Sequence, residues 1–280
     1  MGPGMKIHKL EQYTLTRIST GSLCTSYHAR HKHDNLPDLL IKIMHESASR
    51  DPILRLRFYD ETSLLQTVHH AQIPRLVSTG VHEGRPYSVC QYIHGTSLRE
   101  LITANRIGYH SIPDITAQML TIIWHLHNRL EPVVHSDISP ENILLDRNHR
   151  VYLIDYGCAQ SIRHNETGAT GWVAKPAYMS PEQARGMPWN QRSDLYQIGL
   201  VIYEMYTGEK HNRGNTIRDM IPLAAEPEPA YLEGVPEIMA DLVYSLLTED
   251  AAFRGSTAKD YLDLLNNSKF IRDTLASSCV

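Results

Sequence analysis

The stretch "HSDISPENILLD", His135 to Asp146, sets an aspartate, Asp137, five residues ahead of an asparagine, Asn142, on a short turn before an apolar run. That spacing suits a carboxylate placed at a reacting hydroxyl and an amide oxygen placed on a metal ion, which are parts of phosphoryl-transfer chemistry. The same chemistry calls for positive charge, yet no cation lies between His135 and Glu141. Other parts occur elsewhere in workable order. Lys42 ends the apolar strand "LLIK", Glu61 lies one helix later, and Asp155 follows the apolar run of "VYLIDYG". A cation for the α/β-phosphates of ATP, an acid to orient it, metal ligands and a proton acceptor are then all present.

These residues need elements to position them. "YTLTRIST", "CTSYHAR" and "DLLIKIM" are short, rich in β-branched or aromatic residues and bounded by turn formers, so they read as strands. "DPILRLRFYDETSLLQTV" has apolar residues at helical spacing, with Asp51 and Pro52 as cap and first-turn pair. "RLVSTGVHEGRPYSVCQYI" reads as a hairpin turning at Glu83-Gly84. After Gly95 the pattern becomes helical: "SLRELITANR", "DITAQMLTIIWHLHNRL", "SDLYQIGLVIYEMYTG" and "VPEIMADLVYSLLTED" carry apolar faces of period 3.6. A small β-rich lobe followed by a larger helical one predicts a cleft between them, a hinge at Gln91 to Gly95, and the Asp137 loop opening into the cleft.

Bulk composition narrows the class. The 280 residues are 42% hydrophobic and 21% charged, as in an ordinary globular protein of one large domain or two lobes. A formal net charge of −4 and the lack of a basic run argue against nucleic acid as a partner. No apolar stretch has membrane-spanning length and the N-terminus lacks a signal-peptide pattern, so the expected location is cytoplasmic. The leading "MGPG" reads as a cloning scar (residues 1–4). Cys24, Cys90, Cys158 and Cys279 show no paired metal spacing and read as reduced thiols. The 16 histidines include neither a helical HExxH nor Cys/His pairs, and they read as scattered surface residues.

Six segments taken in order resemble the eukaryotic-type (Hanks-type) Ser/Thr protein kinase catalytic domain, over roughly Tyr13 to Ser268. "LLIK" is similar to the family's VAIK strand, "HSDISPEN" to HRDLKPEN and "DYG" to DFG. "AYMSPEQ" resembles the APE segment, "SDLYQIGLVIYEMYTG" the helix after it, and "DAAFRGST" the DPxxRPS segment. "YMSPEQARG" has the flavour of bacterial members. The resemblance implies an α+β, two-lobed fold with an N-lobe over 13–92, a C-lobe over 93–268, a tail over 269–280 and an ATP cleft. It implies that Lys42 holds the α/β-phosphates and pairs with Glu61, that Asp137 is the catalytic base, and that Asn142 and Asp155 bind Mg²⁺. Gly21, Ser26, Leu40, Cys90, Gln91, Tyr92, Ile93 and Leu144 would line the nucleotide, with Cys90 as gatekeeper. Glu182 would pair with Arg254, Asp194 would hold the catalytic-loop backbone, and Leu65, Leu76, His135 and Tyr156 would form the hydrophobic spine. The implied partners are ATP and a protein carrying the Ser or Thr acceptor. Small-molecule kinases of the aminoglycoside type share the HxD…N loop and generally lack counterparts of Glu182 and Arg254.

Three departures stand out. In "RISTGSLCTSYHAR" only the middle glycine of GxGxxGxV remains, Gly21, with Ser19 and Cys24 at the outer positions and Ser26 at the valine. A Cβ there obstructs approach of backbone N–H groups to phosphates. Ser136 replaces the arginine that pairs with an activation-loop phosphate in much of the family. A phosphate on Thr167 or Thr170 then has no evident partner, and activity is expected not to depend on one. Ser139 replaces the family's catalytic-loop lysine, while Lys175 in "AKPAYMSPE" replaces a threonine that the family places beside that lysine. The expectation is a swap, with Lys175 reaching across to supply the ammonium and Ser139 accepting a hydrogen bond from it. The alternative is two independent losses with Lys175 in solvent. For function, the readings are a Mg·ATP-dependent Ser/Thr protein kinase, a pseudokinase scaffold, or a kinase acting on a small molecule or peptide.

Overall fold

The computed structural model describes residues 12–32, 36–161 and 175–267. Met1–Gly4, Thr167, Thr170, Cys279 and the 269–280 tail lie outside the described residues. Two compact units divide the chain, Met1–His94 and Gly95–Val280.

The first unit contains β1 (Tyr13–Thr20), β2 (Cys24–His31), β3 (Leu39–Met44), α1 (Glu46–Ser49), α2 (Pro52–Thr67), β4 (Leu76–His82) and β5 (Arg85–Gln91). The strands form one antiparallel sheet in the order β1-β2-β3-β5-β4. The β4–β5 connection turns where expected, with φ of 50° at Glu83 and 76° at Gly84. Positive φ at both central residues matches the right-handed strand twist. Strand alternation then separates the sheet's two faces. Tyr13, Ala29, Leu39, Ile41, Tyr87 and Val89 cluster in a core on one face. The register pairs Ser26 with Lys42 and Lys42 with Ser88, and pairs Leu40 with both His28 and Cys90. Ser26, Leu40, Lys42 and Cys90 therefore share the opposite face.

Helix α2 begins as the sequence indicates, Asp51 accepting from the backbone N–H of Ile53 and Leu54 at 2.8 and 3.3 Å. Its apolar pattern does not name the buried face, however. Phe58, Glu61, Thr62 and Leu65 are buried, while Ile53 and Leu56 stay 63% and 60% exposed. The buried stripe contains a glutamate, which has a partner beneath it.

The second unit contains β6 (Thr96–Ser97), α3 (Leu98–Thr103), α4 (Ile112–His127), β7 (Val133–Val134), β8 (Ile143–Leu145), β9 (Val151–Leu153), β10 (Gln160–Ser161), α5 (Pro181–Ala184), α6 (Gln191–Thr207), α7 (Ile217–Ala225), α8 (Glu237–Leu246) and α9 (Ala258–Asn267). Small sheets β6-β8-β9 and β7-β10 flank a helical body in which α4 packs on α6 and α9, and α6 on α8. The apolar period of α6 suggests one buried face, but every residue from Ser193 to Tyr206 is buried. It is the unit's central helix. Three of its polar residues, Asp194, Gln197 and Glu204, are buried with it and have hydrogen-bond partners in the segments around it. Together, a five-stranded antiparallel sheet unit and a helical unit give the α+β content of the two-lobed kinase fold. No helix among the described residues is long and apolar enough to cross a membrane.

Candidate active site

Lys42 lies on the third of five strands and Glu61 on the buried face of α2, and within the first unit the two meet. Lys42 Nζ donates to Glu61 Oε1 at 2.8 Å, with both side chains largely shielded from water. On the same sheet face, burial pushes the Cys90 thiol up to about 12, with the Lys42 charge opposing this and Glu61 adding to it. Cys90 is therefore a small apolar wall at neutral pH, with no thiolate character. Gly21 sits in the β1–β2 turn, its N–H donating to the Cys24 carbonyl at 2.9 Å. A Cβ built there would meet only that carbonyl, at an ordinary 3.6 Å, so the turn itself does not require glycine. Gln91 ends β5, and Tyr92 and Ile93 follow it.

In the second unit the loop after β7 is fixed by side chains of α5 and α6. Asp194 accepts from the backbone N–H of His135 and Ser136 at 2.8 Å each, and His127 Nε2–H donates to the same carboxylate at 2.8 Å. Gln197 accepts from the Ile138 N–H and donates to the Ser136 carbonyl, both at 2.8 Å, and Gln183 donates to that carbonyl at 3.1 Å. Surface placement thus fails for His127, which is buried because α6 brings it a carboxylate. His135 is buried edge-on to the Tyr156 ring, 4.9 Å between centroids, and burial lowers its pKa, so the imidazole is neutral at physiological pH.

Asp137 stands at the centre of the constellation. Asn142 Nδ2 donates at 2.8 Å both to the Asp137 carbonyl and to its Oδ2. This fixes the amide so that Asn142 Oδ1, its acceptor atom, points away from Asp137. The Asn142 carbonyl in turn accepts from the Ile154 N–H at 2.8 Å, tying the loop to the end of β9 just before Asp155. Asp155 itself has a left-handed backbone, φ 65°, and an exposed side chain. Lys175 reaches back across 38 residues of sequence. Its Nζ lies 2.8 Å from Asp137 Oδ2 and 2.9 Å from Ser139 Oγ, and its backbone N–H donates to Asp137 Oδ1 at 3.2 Å. Leu144 lies on β8, paired with Ser97 and Tyr152.

Beneath this sits the Glu182–Arg254 pair, bidentate at 2.8 and 2.9 Å, with the guanidinium fully buried over the Tyr196 ring. Burial alone would raise the Glu182 pKa, but the Arg254 hydrogen bonds and charge outweigh it and hold the carboxyl below its ordinary value. A second cluster was not read from the sequence. Arg99 of α3 donates to Glu141 Oε1 at 2.7 Å and to Glu204 Oε1 at 2.5 Å, and also to the Tyr178 hydroxyl, which itself donates to Glu204. It joins the Asp137–Asn142 loop and the segment after Lys175 to the central helix. Arg99 and Glu204 are 105 residues apart, and no local pattern connects them.

The family model described as "Protein kinase domain" matches residues 13–265. The serine/threonine-protein kinase PknB of Mycobacterium tuberculosis is 30% identical over 235 residues, 80% of this chain and 37% of the relative. PrkC of Bacillus subtilis is 29% identical over 229 residues, covering 80% and 35%. PknB of Mycolicibacterium smegmatis is 31% identical over 180 residues, covering 61% and 28%. The chain thus spans about a third of the length of these relatives. With the matched model covering nearly the whole chain and the kinase motifs falling in the family's order, the chain belongs to the protein kinase domain family.

Proposed function

We propose that this chain transfers the γ-phosphoryl group of ATP to Ser or Thr hydroxyls of a protein, with Asp137 as the base. The observation that carries the proposal is the convergence of Asn142 and Lys175 on Asp137. A carboxylate offers about four lone-pair sites. The Lys175 N–H takes one on Oδ1, and Asn142 Nδ2 and Lys175 Nζ take two on Oδ2, leaving room on Oδ1 for an incoming hydroxyl. As the hydroxyl oxygen bonds to Pγ, its proton passes to Asp137 and the bond from Pγ to the β-γ bridging oxygen breaks, releasing ADP. Lys175 would supply the positive charge the loop lacks, beside the oxygens on which negative charge develops. Lys42, oriented by Glu61, would hold the α/β-phosphates.

The donor set suits Mg²⁺. Asn142 Oδ1 is turned away from Asp137 by the bonds its NH₂ makes, and Asp155 is an exposed carboxylate. One amide oxygen and one carboxylate, completed by phosphates and water, is a common way for a protein to bind this ion. Bound there, Mg²⁺ would neutralise phosphate charge. Gly21, Ser26, Leu40, Cys90, Gln91, Tyr92, Ile93 and Leu144 would contact the nucleotide. Activity would not depend on phosphorylation of Thr167 or Thr170, since Ser136 offers a phosphate no cation.

The test is turnover of γ-labelled ATP with dephosphorylated casein as acceptor, followed by phosphoamino-acid analysis. Label on Ser or Thr that disappears in Asp137→Asn is the expected result. Equal label in Asp137→Asn, or none in the unaltered chain, refutes the assignment, and the latter outcome leaves a scaffold that has kept the fold.

A further inference from the structure

Ser136, directly ahead of the base, is fully buried with φ of 66°, in the left-handed region that a side chain disfavours. Something must keep it there. Its N–H and carbonyl are held by Asp194, Gln197 and Gln183, and its side chain has its own donor: the indole N–H of Trp189, 3.0 Å from Ser136 Oγ. Trp189 is itself buried, in the connection between α5 and α6 and next to Asn190, the residue that caps α6. The cap bonds the Arg192 N–H at 2.9 Å. The indole is thus anchored to the same central helix whose Asp194 and Gln197 grip the loop backbone.

We propose that Trp189 is a positioning residue for Asp137. Its N–H clamps the Ser136 hydroxyl and so fixes the left-handed residue that aims the base, which lets the loop take its working shape without a phosphate. This rests on the kinase reading and adds a residue to it. A serine hydroxyl at this position is short and buried, and only a donor brought close by the fold can engage it. A tryptophan N–H is a donor with no acceptor role, so the bond has one direction. It is also neutral, so the clamp does not alter the charge around Asp137.

The experiment measures turnover of γ-labelled ATP with casein, after phosphatase treatment, in the full chain and in Trp189→Phe, Ser136→Ala and the double variant. Trp189→Phe keeps a ring in the site and removes the donor, while Ser136→Ala removes the acceptor. The expected result is a roughly tenfold fall in kcat in each single variant, with KM for ATP within about twofold of the unaltered chain. The double variant should lose no more than the worse single one, because both remove the same contact. Losses that multiply, an unchanged kcat in Trp189→Phe, or a rise in KM alone would overturn the proposal. If Trp189→Phe does not fold by circular dichroism, the Ser136→Ala kcat and KM decide by the same criteria. An unaltered chain without turnover refutes the kinase reading and this proposal with it, whereas normal turnover with insensitive variants refutes this proposal alone.

Discussion

At the residue scale, the decisive chemistry is where the cation beside Asp137 comes from. The loop from His135 to Glu141 has none, and Lys175, 38 residues further along the chain, places an ammonium 2.8 Å from Oδ2. Lys175→Ala is expected to lower kcat by about a hundredfold while changing KM for ATP little, as for the loss of one charge-stabilising group. Adding Ser139→Lys to that variant should recover part of the loss, because the new ammonium starts from a residue already in contact with the old one. Steady-state kinetics of the two variants check this, and an equal loss in both would show that position 139 cannot take over the charge. The type and spacing of Asp137 and Asn142 were legible in the sequence because five residues of one turn fix their separation. The contact between Ser139 and Lys175 spans 36 residues, and the sequence reached it only through the family's pattern.

At the element scale, the buried centre of the second unit is polar where the loops meet α6. Arg254→Met would leave Glu182 buried without its cation, at a cost of about 3–5 kcal/mol in urea unfolding. The pH dependence follows from the direction of the Glu182 shift. Its folded pKa lies below the unfolded value, so the stabilisation is complete above about pH 4.3 and is lost as pH falls through the lowered value. Glu141 acts the same way, burial opposing and Arg99 outweighing it. Glu182→Gln should therefore unfold with a shallower acid limb between about pH 5 and 3, measured as urea midpoint against pH. An acid limb as steep as that of the unaltered chain would remove Glu182 from the account. The apolar period identified α6 as a helix but not as the central one. Two of its polar residues, Asp194 and Gln197, which periodicity would place at the surface, grip the loop that carries Asp137.

At the scale of the whole molecule, ligand linkage gives the simplest test. If the folded chain binds Mg·ATP and the unfolded chain does not, a hundredfold excess over Kd stabilises it by about 2.7 kcal/mol. A rise in Tm with Mg·ATP, diminished by EDTA and in Asp155→Ala, is the expected calorimetric result. A Tm indifferent to nucleotide with and without the metal would mean that Ser19 and Cys24 have closed the phosphate site. The sequence by itself determined the helix and strand types, the β4–β5 turn, the Asp51 cap and the order of the kinase motifs, because each depends on residues a few positions apart. It also named Lys42, Glu61, Asp137, Asn142 and Asp155, since their neighbours form recognisable runs. The tertiary structure alone decided which stripe of α2 is buried, that His127 bonds to Asp194, that Arg99 bridges Glu141 and Glu204, and that Trp189 closes on Ser136. Those contacts join residues 42 to 105 positions apart or depend on what each element packs against. A buried polar group must find its partner in three dimensions, and the local pattern records only that it is polar.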